Sequence, residues 1–279
     1  MPSEIEFKIE PPKKLSFNFQ ELWQYRELFY FFTWRDVKVK YKQTTLGLLW
    51  VLLQPVIMVA IFSITVARVV DVAFLKIPYP VFVFSGLLFW NAFSASITSA
   101  GTGMISNANI IRKIYFPRLI IPISSLLVAL VDMTASLILF LAILMFWPFE
   151  KQFTIDWLLL LPMSLAAFVI MIIGTVGLCC WLSALNVKYR DFRYVVPFAL
   201  QVMLFLTPVI YPINILYYPG LEYVLALNPI YAAIEIFRYP FMHELDIPLT
   251  LISIASSLFL LVMGLYFFKK TEYYFADLA

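Results

Sequence analysis

KYKQTTLGLLWVLLQPV, residues 40–56, joins two very different kinds of sequence. Lysines stand at 38, 40 and 42, and then no charge occurs over the 25 residues from Gln43 to Ala67. About 20 mostly apolar residues suffice to cross a bilayer as a helix, and Lys and Arg gather at the cytoplasmic end of such a crossing. The stretch therefore reads as a chain entering a membrane from the cytoplasm behind a basic collar.

The whole composition agrees. Of 279 residues, 63% are hydrophobic and 13% charged, against roughly 45–50% and about 25% in soluble domains. A net charge of +3 is too small to imply a nucleic-acid partner. The first 40 residues are polar and lack an apolar core, so no cleaved signal is expected and the mature chain should begin at or near Met1. Cys179 and Cys180 are adjacent in an apolar run and read as small packing residues rather than a disulfide framework.

Six apolar segments are long enough to cross, near 46–68, 80–103, 118–147, 157–185, 194–211 and 249–268. Several are bounded by proline, among them Pro80, Pro117, Pro148 and Pro248. Six crossings place both termini on one side. With that side cytoplasmic, 16 of the 20 Lys and Arg residues fall inside, leaving Arg68, Lys76, Lys151 and Arg238 outside.

The remaining segments are not simple spans. Residues 20–36, QELWQYRELFYFFTWRD, are aromatic but too charged to cross. Leu22, Tyr25, Phe29 and Phe32 share one helical face while Gln24, Glu27 and Arg35 lie elsewhere, which suits an amphipathic helix in the cytoplasmic interface, either an anchor or a lever moved by a partner. Residues 104–118 and 184–193 read as short basic cytoplasmic links. Residues 212–246 hold short apolar pieces broken by Pro212, Pro219, Gly220, Pro229 and Pro240. Backbone of that kind at membrane depth must be shielded by protein or line a cavity, so a pair of short helices dipping into the outer leaflet is expected.

No phosphate loop, HExxH, CxxC or GxSxG motif occurs, and the single histidine, His243, reads as a surface residue. Asp132 is the one ionisable residue deep in a span; such a carboxylate has to be protonated, paired or facing water. Helix–helix hydrogen bonding, a pathway role and proton coupling are all open to it. On the fifth span Tyr194, Phe198, Gln201 and Phe205 recur on one stripe, and on the first Trp50 and Gln54 stand one turn apart, with Pro55 adding a kink. Rings beside amides suit sugars, whose C–H faces stack and whose hydroxyls need partners; packing or lipid contact explains the same spacing.

WRDVKVKYKQTTLGLLWVLLQP, RKIYFPRLIIP, NVKYRDFRYVVP, LFLTPVIYP and ALNPIYAAIEIFR resemble, in order and spacing over roughly residues 20–270, the membrane subunit of type-2 ABC exporters for polysaccharides, notably those of O-antigen and related lipid-linked glycans. The resemblance implies an all-α homodimer of six-span subunits in a bacterial inner membrane, both termini cytoplasmic. Two copies of a separate ATPase would carry ATP and magnesium, this chain holding no cofactor and no metal and catalysing nothing itself. It implies a division into a tail over 1–19, an interfacial coupling helix and collar over 20–45, a permease domain over 46–270 and a tail over 271–279.

Carried onto this sequence, the ATPase-coupling positions are Tyr25, Phe29, Arg35, Asn109, Arg112, Lys113, Tyr115 and Phe116. The substrate entrance falls on the Leu46–Gly47 turn, on Lys38, Lys40 and Lys42, and on Arg118. Trp50, Gln54, Tyr194, Phe198, Gln201 and Phe205 would line the path. A polyprenyl-pyrophosphate-linked glycan would be drawn to the collar by its anionic head. A teichoic acid, capsule or other lipid cargo, a proton-coupled transporter using Asp132, and a polyprenyl-dependent membrane enzyme are the alternatives.

Overall fold

The computed structural model describes residues 19–42, 47, 49–65, 77–146, 155–189, 191–213, 220–272 and 275. Within them the chain forms eleven helices and no strand. A short α1 (Phe19–Gln24) bends at Tyr25 into α2 (Arg26–Lys42), followed by α3 (Leu49–Thr65), α4 (Tyr79–Ser106) and α5 (Ala108–Lys113). Then come α6 (Ile120–Phe146), α7 (Trp157–Lys188), α8 (Phe192–Leu206), α9 (Leu221–Ala226), α10 (Tyr231–Met242) and α11 (Ile247–Thr271).

Each predicted crossing holds a helix among the described residues, the fifth ending at Leu206 instead of running to 211. Four helices, α4, α6, α7 and α11, are long and apolar enough to span a membrane. The described parts of α3 and α8, 17 and 15 residues, rise only about 25 and 22 Å at about 1.5 Å per residue.

The core is organised around α4, whose first half is apolar and almost wholly buried, while Thr98 and Ser99 further along it are exposed. Phe89 meets Phe168 of α7 and Phe237 of α10 with ring centroids 6.0 and 5.0 Å apart, and Phe84 meets Phe140 of α6 at 5.5 Å. Near their C-terminal ends α4 and α7 are tied by Ser183 Oγ donating to the Ala100 carbonyl at 2.7 Å and by Asn186 donating to the Gly101 carbonyl. Their C-terminal ends therefore lie on the same side.

Helices α7 and α11 meet backbone to backbone. A Cβ at Gly264 would stand 2.0 Å from the Gly177 carbonyl oxygen, so neither position has room for a side chain. Gly264→Ala should lower the stability of the folded protein by at least about 1–3 kcal/mol, the usual cost of overpacking. Gly101→Ala, where a Cβ meets nothing within 4 Å, should leave it unchanged. Thermal unfolding in detergent compares the two.

The chain after α8 folds back onto the bundle. Ser253, Ser256 and Ser257 of α11 donate to the carbonyls of Asn228, Leu227 and Pro229, at 2.7, 2.6 and 3.0 Å. These serines lie roughly 9 to 15 Å along α11 from its start. The α9–α10 turn is thus held well below the end of that helix.

Three local expectations change. The link over 104–118 is largely helical, because α4 continues to Ser106 and ANIIRK forms α5. The link over 184–193 shrinks, because α7 continues to Lys188. Helix α2 does not lie apart from the bundle: Phe32 packs on Phe116 just before α6 and Lys40 reaches Asp132 halfway along it, so α2 and α6 advance side by side.

Candidate functional site

The α1–α2 arm presents two aromatic faces. Leu22, Tyr25 and Phe29 are half-buried beside Phe32, as the helical spacing predicts. Trp23, Tyr30 and Trp34 stand on the exposed side, Tyr30 and Trp34 stacked with centroids 6.2 Å apart. Arg35 lies 4.9 Å over the Phe32 ring and pairs with Asp36 at 2.7 Å. The second predicted coupling segment adjoins the arm: Asn109, Arg112, Lys113 and Tyr115 are exposed, and the Tyr115 hydroxyl donates to Glu21 at 3.1 Å. A cleft of about 830 Å³ lies between α1–α2 and Ile114. Phe116 differs from its neighbours, being buried against Phe32 with centroids 5.7 Å apart, so it supports this surface from beneath.

Asp132 is paired. Lys40 Nζ and the Tyr41 hydroxyl both donate to its carboxylate, one to each oxygen. The lysine side chain is 44% exposed and the carboxylate 14%, so the acid is the more enclosed partner. Burial, and then the bond to Asp132, raise the Tyr41 phenol above its ordinary range, which keeps the hydroxyl protonated as a donor. The partners lie 92 and 91 residues away in sequence, so the serines and threonines near Asp132 gave no hint of them.

This pairing redistributes the basic collar. Lys40 is engaged, and Arg118 donates to the Glu272 carbonyl at the end of α11 with its guanidinium over Phe275. Lys38, over the Trp34 ring at 5.1 Å, and Lys42 are exposed, as is Lys40. Gly47 has φ 49°, in the left-handed region that suits a turn ahead of α3; Leu46 lies outside the described residues.

The predicted lining residues share uncovered faces. On α8, Tyr194, Phe198, Gln201 and Phe205 are all exposed, Tyr194 at 77%, while Val196 and Leu200 turn inward. On α3, Trp50 and Gln54 are exposed and Pro55 is buried. Both helices pack on α4.

Sequence reading missed the strongest polar centre, counting Arg238 only as an outer charge. Its side chain is fully buried on α10. Nε donates to Ser85 Oγ at 3.1 Å, Nη1 to the Pro208 carbonyl at 2.8 Å and Glu235 Oε1 at 3.1 Å, and Nη2 to the Phe82 and Val209 carbonyls, both at 3.0 Å. A guanidinium has five N–H donors, and all five are used. Its carbon lies 3.6 Å from the centroid of the Phe82 ring. Gly86 makes the space, since a Cβ there would stand 2.7 Å from Nη2. The detectable signal was an arginine three residues after Glu235 in an otherwise apolar stretch. Arg238 thereby fastens the segment after α8 to the start of α4, assisted by the Tyr79 hydroxyl donating to the Ile210 carbonyl at 2.9 Å.

Spanning helices, an arm clasped against one of them and aromatic faces left uncovered on two more define a multi-pass helical membrane protein. The chain belongs to the ABC-2 type transporter family, whose model matches residues 27–242. It is similar to two proteins of Klebsiella pneumoniae described as "O-antigen export system permease protein RfbA", each 28% identical over 267 residues, 95% of this chain and 98% of the relative. A protein of the same description from Myxococcus xanthus is 31% identical over 216 residues, 75% of this chain and 78% of the relative. Helix α11 lies beyond the residues that the family model matches.

Proposed function

We propose that this chain is the transmembrane subunit of an ATP-driven exporter that moves a lipid-linked, O-antigen-like polysaccharide outward across a bacterial inner membrane. The observation that carries the cargo is the exposed face of α8, three rings and an amide in one row, together with Trp50 and Gln54 on α3. These are chemically suited to sugars, and the relatives are described as O-antigen export permeases.

A homodimer bringing these faces together would enclose a path that one subunit leaves open. Six crossings with cytoplasmic termini fit the geometry. Helix α8 begins after the C-terminal end of α7, and its continuation is bonded at the opposite end of α4, so a short helix still travels from one side to the other. The α9–α10 turn bonded along α11 fits an outer re-entrant pair.

In this reading two ATPase subunits, holding ATP and magnesium, push on the surface formed by the α1–α2 arm and the α5 segment. Because α2 is clasped to α6 at Asp132, movement of the arm reaches the middle of that helix. Proton coupling is less well supported, since the carboxylate is already held by Lys40 and Tyr41. The pyrophosphate head would meet Lys38 and Lys42.

Co-purification with an ATPase encoded beside this chain, followed by reconstitution in lipid vesicles, tests the proposal. The expected result is a two-plus-two complex whose ATP turnover rises with lipid-linked glycan. A complex indifferent to glycan would overturn the cargo, and failure to bind any ATPase would overturn the mechanism.

A further inference from the structure

Helix α5 has six residues, well below the roughly 12–15 at which an isolated helix becomes stable in water, so what lies beneath it sets its position. Ile111 and Phe116 face inward there, in one buried cluster with Phe32 of the arm, Phe268 of α11 and Phe275 beyond the end of α11. Arg112, Lys113 and Tyr115 stay on the exposed side. The far end of the chain is thus built into the support of the coupling segment, although Phe268 and Phe275 both follow the last residue that the family model matches.

Two residues make the join. Phe275 is fully buried and stands edge-on to Phe268 with ring centroids 5.1 Å apart. Arg118, just before α6, lies with its guanidinium 6.0 Å over the Phe275 ring and donates to the carbonyl of Glu272, the residue that caps α11. The last turn of a helix leaves carbonyls unpaired and carries partial negative charge, so a cation there both bonds and neutralises. Glu272 is paired through its side chain with Lys269 at 2.6 Å and lies within electrostatic reach of Tyr115, whose hydroxyl donates to Glu21 of the arm.

The elements joined here differ in freedom. Helix α11 is packed backbone to backbone on α7 at Gly264 and Gly177, which fixes its place in the bundle. Helix α6 is held at two separated points: at its start by Arg118, and at Asp132 by Lys40 and Tyr41 of the arm. Asp132 stands 12 residues after Ile120, about 18 Å along the helix at about 1.5 Å per residue. A push delivered at Asp132 tilts α6 only if its start is held; with the start loose, the same push slides the helix and the junction before it.

We infer that Arg118 and Phe275 are positioning residues that pin the start of α6 to the fixed end of α11, forming the pivot about which ATP-driven movement of the arm tilts α6. The pivot rests on the export reading above, in which the arm and α5 receive that movement. It gives the end of the chain a part in coupling, and it gives Arg118 a role other than meeting substrate at the entrance.

The test uses the full complex with its ATPase in lipid vesicles, comparing Phe275→Ala and Arg118→Gln with Phe275→Leu and Arg118→Lys. In the first two, ATP turnover should stay within about twofold of wild type while glycan moved per ATP hydrolysed falls at least about fivefold, the lower end of typical coupling between sites. Leucine, which keeps apolar bulk, and lysine, which keeps a donor for the Glu272 carbonyl, should each recover at least about half of that ratio. Hydrogen exchange with and without ATP and magnesium gives a readout that needs no cargo. ATP should change exchange over residues 108–117 and 120–132 in wild type, and over 108–117 alone in Phe275→Ala and Arg118→Gln. An unchanged ratio with the 120–132 response retained would overturn the pivot. So would transport and turnover falling together with the amount of assembled complex, which marks a plain packing role, or a defect confined to Arg118→Gln that excess glycan repairs, which marks a substrate contact. A wild-type complex that answers ATP over 120–132 but moves no glycan overturns the export reading, and the exchange of the variants still decides the pivot. Failure to bind any ATPase overturns both.

Discussion

Arg238→Ala should yield a protein that no longer elutes as a monodisperse particle, with stability lowered by about 3–5 kcal/mol, the scale for breaking a buried ionic centre. The substitution strands the carbonyls of Phe82, Pro208 and Val209 together with Glu235, in a place where water does not replace the lost donors. Lysine should rescue little, because one ammonium on a flexible stem cannot reproduce a planar fork aimed at five acceptors. Combining Arg238→Met with Glu235→Gln should recover part of the loss by removing the unpaired carboxylate, and a double-mutant cycle would measure how much. Fluorescence-detected size exclusion and thermal unfolding read all of these. An alanine variant with the wild-type midpoint would disprove the fastening role of Arg238.

Lys40→Met should reduce transport at least about tenfold, equivalent to about 1.4 kcal/mol, while the chain still inserts and assembles. Its loss leaves the mostly enclosed Asp132 with Tyr41 as its remaining donor and loosens α2 from α6. Lys42→Met leaves the Lys40–Asp132 pair intact and should not loosen α2 from α6. The decisive variant is the exchange Lys40→Asp with Asp132→Lys, which should restore much of the activity if the two charges act on each other. An exchange no better than either single change would disprove the clasp and favour independent roles for the two residues. Transport in reconstituted vesicles, normalised to assembled complex, is the measurement.

Much of the architecture was legible along the chain. Each of the six apolar segments holds a helix, the fifth shorter than expected, and the faces that hold Phe29 and Phe32 inward and Phe198 and Phe205 outward follow helical spacing. The Asp132 and Arg238 centres were not legible. The first joins residues 92 apart and the second joins residues up to 156 apart. Arg238 and Lys40 are both simply basic residues in the sequence, yet one is fully buried and the other half open to solvent. Phe116 and Tyr115 are neighbours in an aromatic motif, yet one is a prop and the other a surface.

A bilayer imposes its demands locally. Crossing it requires a run of apolar residues of sufficient length, with every backbone hydrogen bond closed inside the helix, and such runs can be recognised without knowing what packs beside them. Which helices touch, and which buried charge meets which partner, is set by shape and by hydrogen-bonding groups brought together from distant parts of the chain. Six apolar helices and a basic collar were therefore present in the order of residues. The clasp of α2 on α6, the partners of Lys40 and Arg118, the Arg238 fastening and the cavity beside it arose only when those helices packed, because each depends on where a second helix stops.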